Sequence, residues 1–184
     1  MSDFFTELFR RASTPAFETL GALMSADEAG TLTDDEFDHT LWLLVCRAIP
    51  ATPEAAADLP KPVIDYYASR RIENDVGNGG FTQAAYNMPE WFEAAANGYD
   101  AMGNASAAAL IRHAYAVSRR EAGKVAKLKR RKAGIGAIFK SFRESTLSDI
   151  DKNLVATLEK NGWWAAQDRN AYVRRNRAAF LSLE

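Results

Sequence analysis

Apolar positions recur at helical spacing along most of the chain. Phe37, Leu41, Leu44, Val45 and Ala48 stand at i, i+4, i+7, i+8 and i+11, the stripe that one face of an α-helix turns toward a core. This run has a marked start at Thr33-Asp34-Asp35-Glu36. The Thr oxygen can accept from an amide of the first turn while Glu36 reaches back, a capping box. Pro50 stops the run, because proline has no amide to donate and clashes with the preceding turn. Thr14 before Pro15, and Ser25 three residues before Glu28, read as earlier helix starts. Another helix begins near Pro62, carries Val63, Tyr66 and Tyr67, and ends near Gly77. Ile111, Tyr115, Ser118, Ala122 and Val125 form a stripe; Leu147, Ile150, Leu154 and Leu158 form one after Thr146; Tyr172, Asn176, Ala179, Phe180 and Leu183 form the last. No stretch shows period-two alternation between hairpin turns, and no unit repeats at a fixed period. The pattern predicts an all-α fold, a single compact irregular helical bundle over residues 1–184, with 1–32 an N-terminal helical extension packed on the rest.

Composition agrees with a packed bundle. A chain of 184 residues is ordinary for one domain and buries roughly 70% of its unfolded surface. It is 47% hydrophobic, and four Trp, six Tyr and ten Phe supply bulky core groups. Disorder, collagen and a disulfide scaffold are excluded on these grounds. No apolar run approaches the ~18 residues of a membrane span. Cys46 is the one cysteine, so no intramolecular disulfide can form. The first residues place Asp3 and Glu7 ahead of Arg10-Arg11 and lack the apolar stretch of a signal peptide. The expected location is therefore the cytoplasm, and the sequon-like Asn104-Ala105-Ser106 is a coincidence.

The net charge of -1 hides an asymmetry. Residues 1–100 carry 6 Lys/Arg against 17 Asp/Glu, a net -11, and residues 101–184 carry 17 against 7, a net +10. Ten Lys/Arg fall between Arg119 and Arg143, with Glu121 the only acid among them. Arg120, Lys124, Lys127 and Arg131 share one helical face, opposite the Ile111–Val125 stripe. Gly123 weakens this helix and Gly134-Ile135-Gly136 ends it. Two meanings compete. The basic face can bind an anionic partner, and an acidic face on the other half, with Asp34, Asp35, Glu36 and Asp38 at its centre, can bind a basic one. Alternatively the acidic and basic helices lie side by side and neutralise within the fold.

Catalytic residue types are scarce. His39 and His113 have no Cys or His partner at zinc spacing, so no metal site is read. Cys46 lies between apolar neighbours and reads as core. Trp163-Trp164 reads as a core plug at a helix junction, with a partner anchor as the alternative. Arg70 and Glu73, at i and i+3, read as an ion pair. No cofactor is implied.

The most informative stretch is Glu73-Asn74-Asp75-Val76-Gly77-Asn78-Gly79-Gly80-Phe81-Thr82-Gln83-Ala84-Ala85-Tyr86-Asn87. It reads as helix, sharp turn, helix. Gly77 to Gly80 tolerate positive φ and close approach, Phe81 anchors the turn in the core, Gln83 bonds turn amides or carbonyls, and Asn87 before Pro89 suits a helix end. The glycines match neither the Walker pattern nor a dinucleotide-binding loop.

This stretch resembles the bacterial DNA-mimic protein family, specifically its C-terminal domain. The family hallmark places an acid and a small apolar residue before Asn-Gly-Gly-Phe, then Gln, an aromatic and Asn. Glu73, Val76, Asn78, Gly79, Gly80, Phe81, Gln83, Tyr86 and Asn87 stand at those places. The small-residue break at Tyr99–Ala105 and the closing Tyr172-Val173-Arg174-Arg175-Asn176 with Phe180, after the acidic helix Asp149–Leu158, are also similar. The resemblance covers about residues 33–180. Ala84-Ala85 departs from the usual aromatic pair.

The resemblance implies a helical protein that occupies the DNA site of a basic DNA-binding protein. Mimicry needs dense negative charge, since duplex DNA carries one charge per ~1.7 Å. The near-neutral total and basic C-terminal half argue against mimicry by the whole surface. The expectation is a non-enzymatic cytoplasmic protein that binds another protein through its acidic N-terminal half. The alternative is nucleic-acid or polyanion binding through residues 119–143, and opposite charges on one chain also permit self-association.

Overall fold

The structure is a computed structural model that describes residues 17–50, 52–131, 147–160 and 167–184. Among the described residues there are eight α-helices and no strand. In chain order they are α1 (Leu20–Glu28), α2 (Asp34–Ala48), α3 (Lys61–Asn87), α4 (Phe92–Ala101), α5 (Ala105–Arg130), α6 (Leu147–Lys160), α7 (Gln167–Arg175) and α8 (Arg177–Leu181). A 3-10 turn at Pro89–Trp91 leads into α4. The fold is all-α, a compact irregular bundle with α3 at its centre. α3 touches α2, α4, α5, α6, α7 and α8, while α1 packs on α2 and α8.

Local chemistry explains the first two helix starts. Thr33 caps α2: its hydroxyl accepts from the Glu36 amide at 3.2 Å, and the Glu36 carboxylate accepts the Thr33 amide at 2.9 Å. Thr19 caps α1 by accepting the Ala22 amide at 3.1 Å. Ser25 is not a helix start: it lies inside α1, and its hydroxyl donates back to the Gly21 carbonyl at 2.9 Å. The Thr14-Pro15 start and Trp163-Trp164 lie outside the described residues, as does Gly134-Ile135-Gly136; α5 ends ahead of those glycines, at Arg130.

α3 is two helical stretches joined at a kink, where Gly79 and Gly80 leave helical geometry, two residues beyond the expected end near Gly77. Two other expectations change. The last stripe is two helices, not one. Asn176 separates α7 from α8, and its side-chain amide and backbone amide both donate to the Tyr172 carbonyl. Cys46 is an exposed residue of α2, not core. It follows Val45 on the helix, so it sits one position round from the buried face of Leu41, Leu44 and Val45.

Phe37, Leu41, Tyr66, Ile72, Phe81, Trp91, Phe92, Ile111 and Phe180 are fully buried in one apolar cluster. α3 and α4 approach very closely. A Cβ on Gly98 would strike the backbone carbonyl of Asp65, so the crossing requires glycine there.

Candidate functional site

A buried charge network ties four helices together. Asp38 (α2), Glu73 (α3) and Arg169 (α7) are all buried. Arg169 donates from Nε to Asp38 Oδ1 at 2.9 Å and from Nη1 to Glu73 Oε1 at 2.6 Å. Arg70 closes the square, 3.3 Å from Asp38 Oδ2 and 3.4 Å from Glu73 Oε2, so the predicted Arg70–Glu73 pair is present as part of a larger set. Tyr99 of α4 donates to Glu73 Oε1 at 2.6 Å, and Tyr66 donates to Asp38. Two cations meet two carboxylates, so the buried charge cancels. Burial pushes both tyrosine hydroxyls well above their ordinary value, and the neighbouring Asp38 and Glu73 add to it. Burial works against charge on Arg169, but Glu73 and Asp38 outweigh it and hold the guanidinium above its ordinary value. The two tyrosines and Arg169 keep their protons at neutral pH, and the network links α2, α3, α4 and α7.

The glycine motif is a helix break that receives a side chain from far along the chain. Gly80 has φ 72° and ψ -176°, a conformation that excludes most side chains. The break removes the helical acceptor of the Phe81 amide, which donates instead to Asp151 Oδ1 of α6 at 2.6 Å. A Cβ on Gly80 would strike the same carboxylate. Burial pushes the Asp151 carboxyl up to about 6, against the Phe81 hydrogen bond, which favours the charged form. On the other side of the break, Asp75 Oδ1 accepts from Gln83 Nε2 at 3.0 Å and Asn87 Nδ2 at 2.8 Å. Gln83 therefore bonds a carboxylate across the break rather than turn backbone. Phe81 anchors the break in the core as expected, and Asn78 is exposed.

The expected acidic face is not one open surface. Asp38 is buried in the network. Asp34 is half-buried and lies 2.8 Å from Arg174, while Asn170 donates to its carbonyl. Glu36 closes the capping box, and Asp35 is half-buried. Nearby, Arg174 grips Asp27 through two hydrogen bonds, and Arg177 pairs with Glu28. Met24, Asp27, Glu28, Arg174 and Arg177 line a surface pocket of about 290 Å³. C-terminal arginines thus neutralise N-terminal acids. Exposed carboxylates lie elsewhere: Glu54, Asp58, Glu90, Glu93 and Asp100. Glu93 and Asp100 flank Arg112, at 3.7 and 2.7 Å, and Asn97 accepts from the same guanidinium at 2.9 Å.

The basic face is open where it is described. Arg120, Lys127 and Arg131 are exposed along α5 and just past its end; the Lys124 side chain lies outside the described residues. His39 and His113 are exposed. Among the described residues no group of three His, Cys, Asp or Glu could hold a metal ion, and no helix is long and apolar enough to cross a membrane.

Motif reading missed Asp75, Tyr99, Asp151 and Arg169. The glycine pair signals that an amide loses its acceptor, but not that Asp151 replaces it. Asp151 does fall within the acidic helix Asp149–Leu158 of the resemblance.

A family model described as DMP19-like protein matches residues 57–176. Glu73, the glycine break, Asp151 and Arg169 lie within that span, whereas α1 and α2 precede it. No curated protein and no solved structure matches the chain.

Proposed function

The chain belongs to the DMP19-like protein family, and from that premise we propose that it is a non-enzymatic, cytoplasmic DNA-mimic protein that occupies a basic DNA-binding protein through carboxylates of its N-terminal half. The observation that supports this reading most is the surface of α4 and the turn before it. Glu90, Glu93 and Asp100 are exposed there, and residues 89–101 contain no Lys or Arg. Glu93, Asn97 and Asp100 share one helical face, with the two acids roughly 10 Å apart along the axis. Two phosphates three steps apart on one DNA strand are separated by a similar axial rise, since each step rises about 3.4 Å. Arg112 already rests between these carboxylates in the way a partner's arginine would. Exposed pairs of this kind contribute only about 0–1 kcal/mol, so an incoming guanidinium can displace it. Asp38 is less suited because its carboxylate is buried, and Asp34 because it is half-buried and held by both Arg174 and Asn170.

The test is affinity capture on the tagged chain followed by elution with duplex DNA. A basic DNA-binding protein should be retained and released by DNA. The triple variant Glu90→Gln, Glu93→Gln, Asp100→Asn should lose it while keeping its helical circular dichroism. Retention that DNA does not reverse, or that the triple change leaves intact, rules the reading out.

A further inference from the structure

The far half of α5 carries cations that no carboxylate of the described residues holds. Arg70, Arg112, Arg169, Arg174 and Arg177 each rest on carboxylates. Arg119, Arg120, Lys127, Arg130 and Arg131 are exposed, and none has a carboxylate partner among the described residues. Arg119 lies over the Tyr115 ring, 5.7 Å from its centroid. Asp149 of α6 lies 3.8 Å from Lys152.

Their spacing makes them one surface. Ala116, Arg119, Arg120, Gly123, Ala126, Lys127, Arg130 and Arg131 are all exposed, at i, i+3, i+4, i+7, i+10, i+11, i+14 and i+15. The described exposed residues between the cations, Gly123 and Ala126, are small. From Arg119 to Arg131 the helix axis advances about 18 Å. One strand of duplex DNA presents a phosphate every 3.4 Å of rise, so that length spans about five phosphates, matching five cations. An α-helix also fits the major groove of B-DNA, about 12 Å wide.

Other anionic surfaces fit less well. A membrane-surface helix buries Trp, Phe or Leu beside its cations. Leu43 on α2 is the exposed large hydrophobic residue among those described, and it is not on this helix. Single-stranded nucleic acid is held by stacking on aromatic rings, and Tyr115 is already covered by Arg119.

We propose that the exposed face formed by Arg119, Arg120, Lys127, Arg130 and Arg131 is a docking surface for the phosphate backbone of duplex DNA, separate from the acidic surface of α4. Contacts of this type carry no base readout, so binding is independent of sequence and steeply dependent on salt.

The experiment uses the full chain alone and a fluorescently labelled 20-base-pair duplex, with anisotropy read between 50 and 200 mM NaCl. Five phosphate contacts give a slope of log K on log salt of about -4.5, or roughly 500-fold weaker binding across that range. The variant Arg120→Gln, Lys127→Gln, Arg131→Gln should bring the slope to about -1.8, and a second, unrelated duplex should bind equally well. No binding at 50 mM salt overturns the proposal, as does an unchanged slope in the variant. Competition by polyglutamate as effective as that by DNA of equal charge would point instead to an acidic polypeptide and overturn it. Equal binding to anionic lipid vesicles would overturn it in favour of a membrane. The Glu90→Gln, Glu93→Gln, Asp100→Asn variant should bind the duplex at least as well as the unaltered chain. Loss of the protein partner with DNA binding intact therefore separates this surface from the one under Proposed function.

Discussion

The Phe81 amide donates to the Asp151 carboxylate at 2.6 Å, joining two helices across 70 positions of sequence. The bond exists because Gly79 and Gly80 open the α3 ladder and because Gly80 has no Cβ to exclude the carboxylate. It couples the family's glycine motif to α6, and its acceptor titrates within reach of neutral pH.

Asp151 should make stability depend on pH in a defined direction. Its carboxyl is raised from 3.8 to about 6 by burial, so between those values the folded chain binds more protons than the unfolded one. Stability from this group is complete below about 3.8 and is lost as pH rises through about 6. Asp151→Asn keeps an oxygen acceptor and removes the titration. Its Tm relative to the unaltered chain should rise between pH 4 and 6 and level off above 7. Asp151→Ala leaves the Phe81 amide unpaired and should cost about 1–3 kcal/mol. A Tm difference that is flat with pH would dismiss the assignment.

Arg169 should be the most costly polar residue to remove. Arg169→Ala leaves Asp38 and Glu73 buried beside Arg70 alone. Breaking a buried pair in this way costs about 3–5 kcal/mol, a fall in Tm of about 6–20 °C for a chain of this size. Arg169→Lys keeps the charge but cannot bridge both carboxylates with a planar fork, so it should fall in between. Tyr99→Phe removes one donor to Glu73 and should cost less than Arg169→Ala. Urea denaturation of the three variants gives the order.

Gly80 and Gly98 should resist alanine for different reasons. Gly80→Ala meets a positive φ and the Asp151 side chain; Gly98→Ala meets the Asp65 backbone, which cannot swing aside. Gly80→Ala should therefore cost less in an Asp151→Ala background, with a coupling of at least about 0.5 kcal/mol in a double-mutant cycle. Gly98→Ala should show no such rescue. Urea denaturation of the three single variants and of the two double variants carrying Asp151→Ala checks both statements.

Cys46 should be reachable but slow. It is exposed on α2, yet partial burial of the sulfur pushes its thiol up to about 11, with Arg71 and Arg70 pulling it the other way. A thiol reagent should modify the native chain completely, at a rate that climbs about tenfold per pH unit from 7 to 10, because the thiolate is the nucleophile. A rate that levels off near pH 8 would contradict the raised value.

Helical periodicity was legible because it is local. The capping box at Thr33 and the stripe from Phe37 depend on residues within a few turns; the box appears as read, and the stripe is buried from Phe37 to Val45 while its last member, Ala48, is exposed. Glycine chemistry was legible only in part. Two adjacent glycines announce a break, but whether Gly77 and Asn78 join it depends on what packs alongside, and they remain helical. Asn176 shows the same limit, since its side chain competes for the Tyr172 carbonyl in the middle of a continuous apolar stripe.

The sequence by itself determined the all-α class, the chief helices, the anchoring of Phe81 and the separation of charge into an acidic and a basic half. Tertiary structure decided what those charges do. Arg169 and Arg174 return to Asp38 and Asp34, so two of the acids that looked like a binding face became ties between helices, and Glu73, Asp27 and Glu28 meet Arg169, Arg174 and Arg177 likewise. The cations along α5 found no such partners among the described residues. The reason is range. Backbone hydrogen bonding and side-chain periodicity are settled within a few residues, whereas an ion pair is settled by which helices meet, and charge counted along a chain carries no record of that.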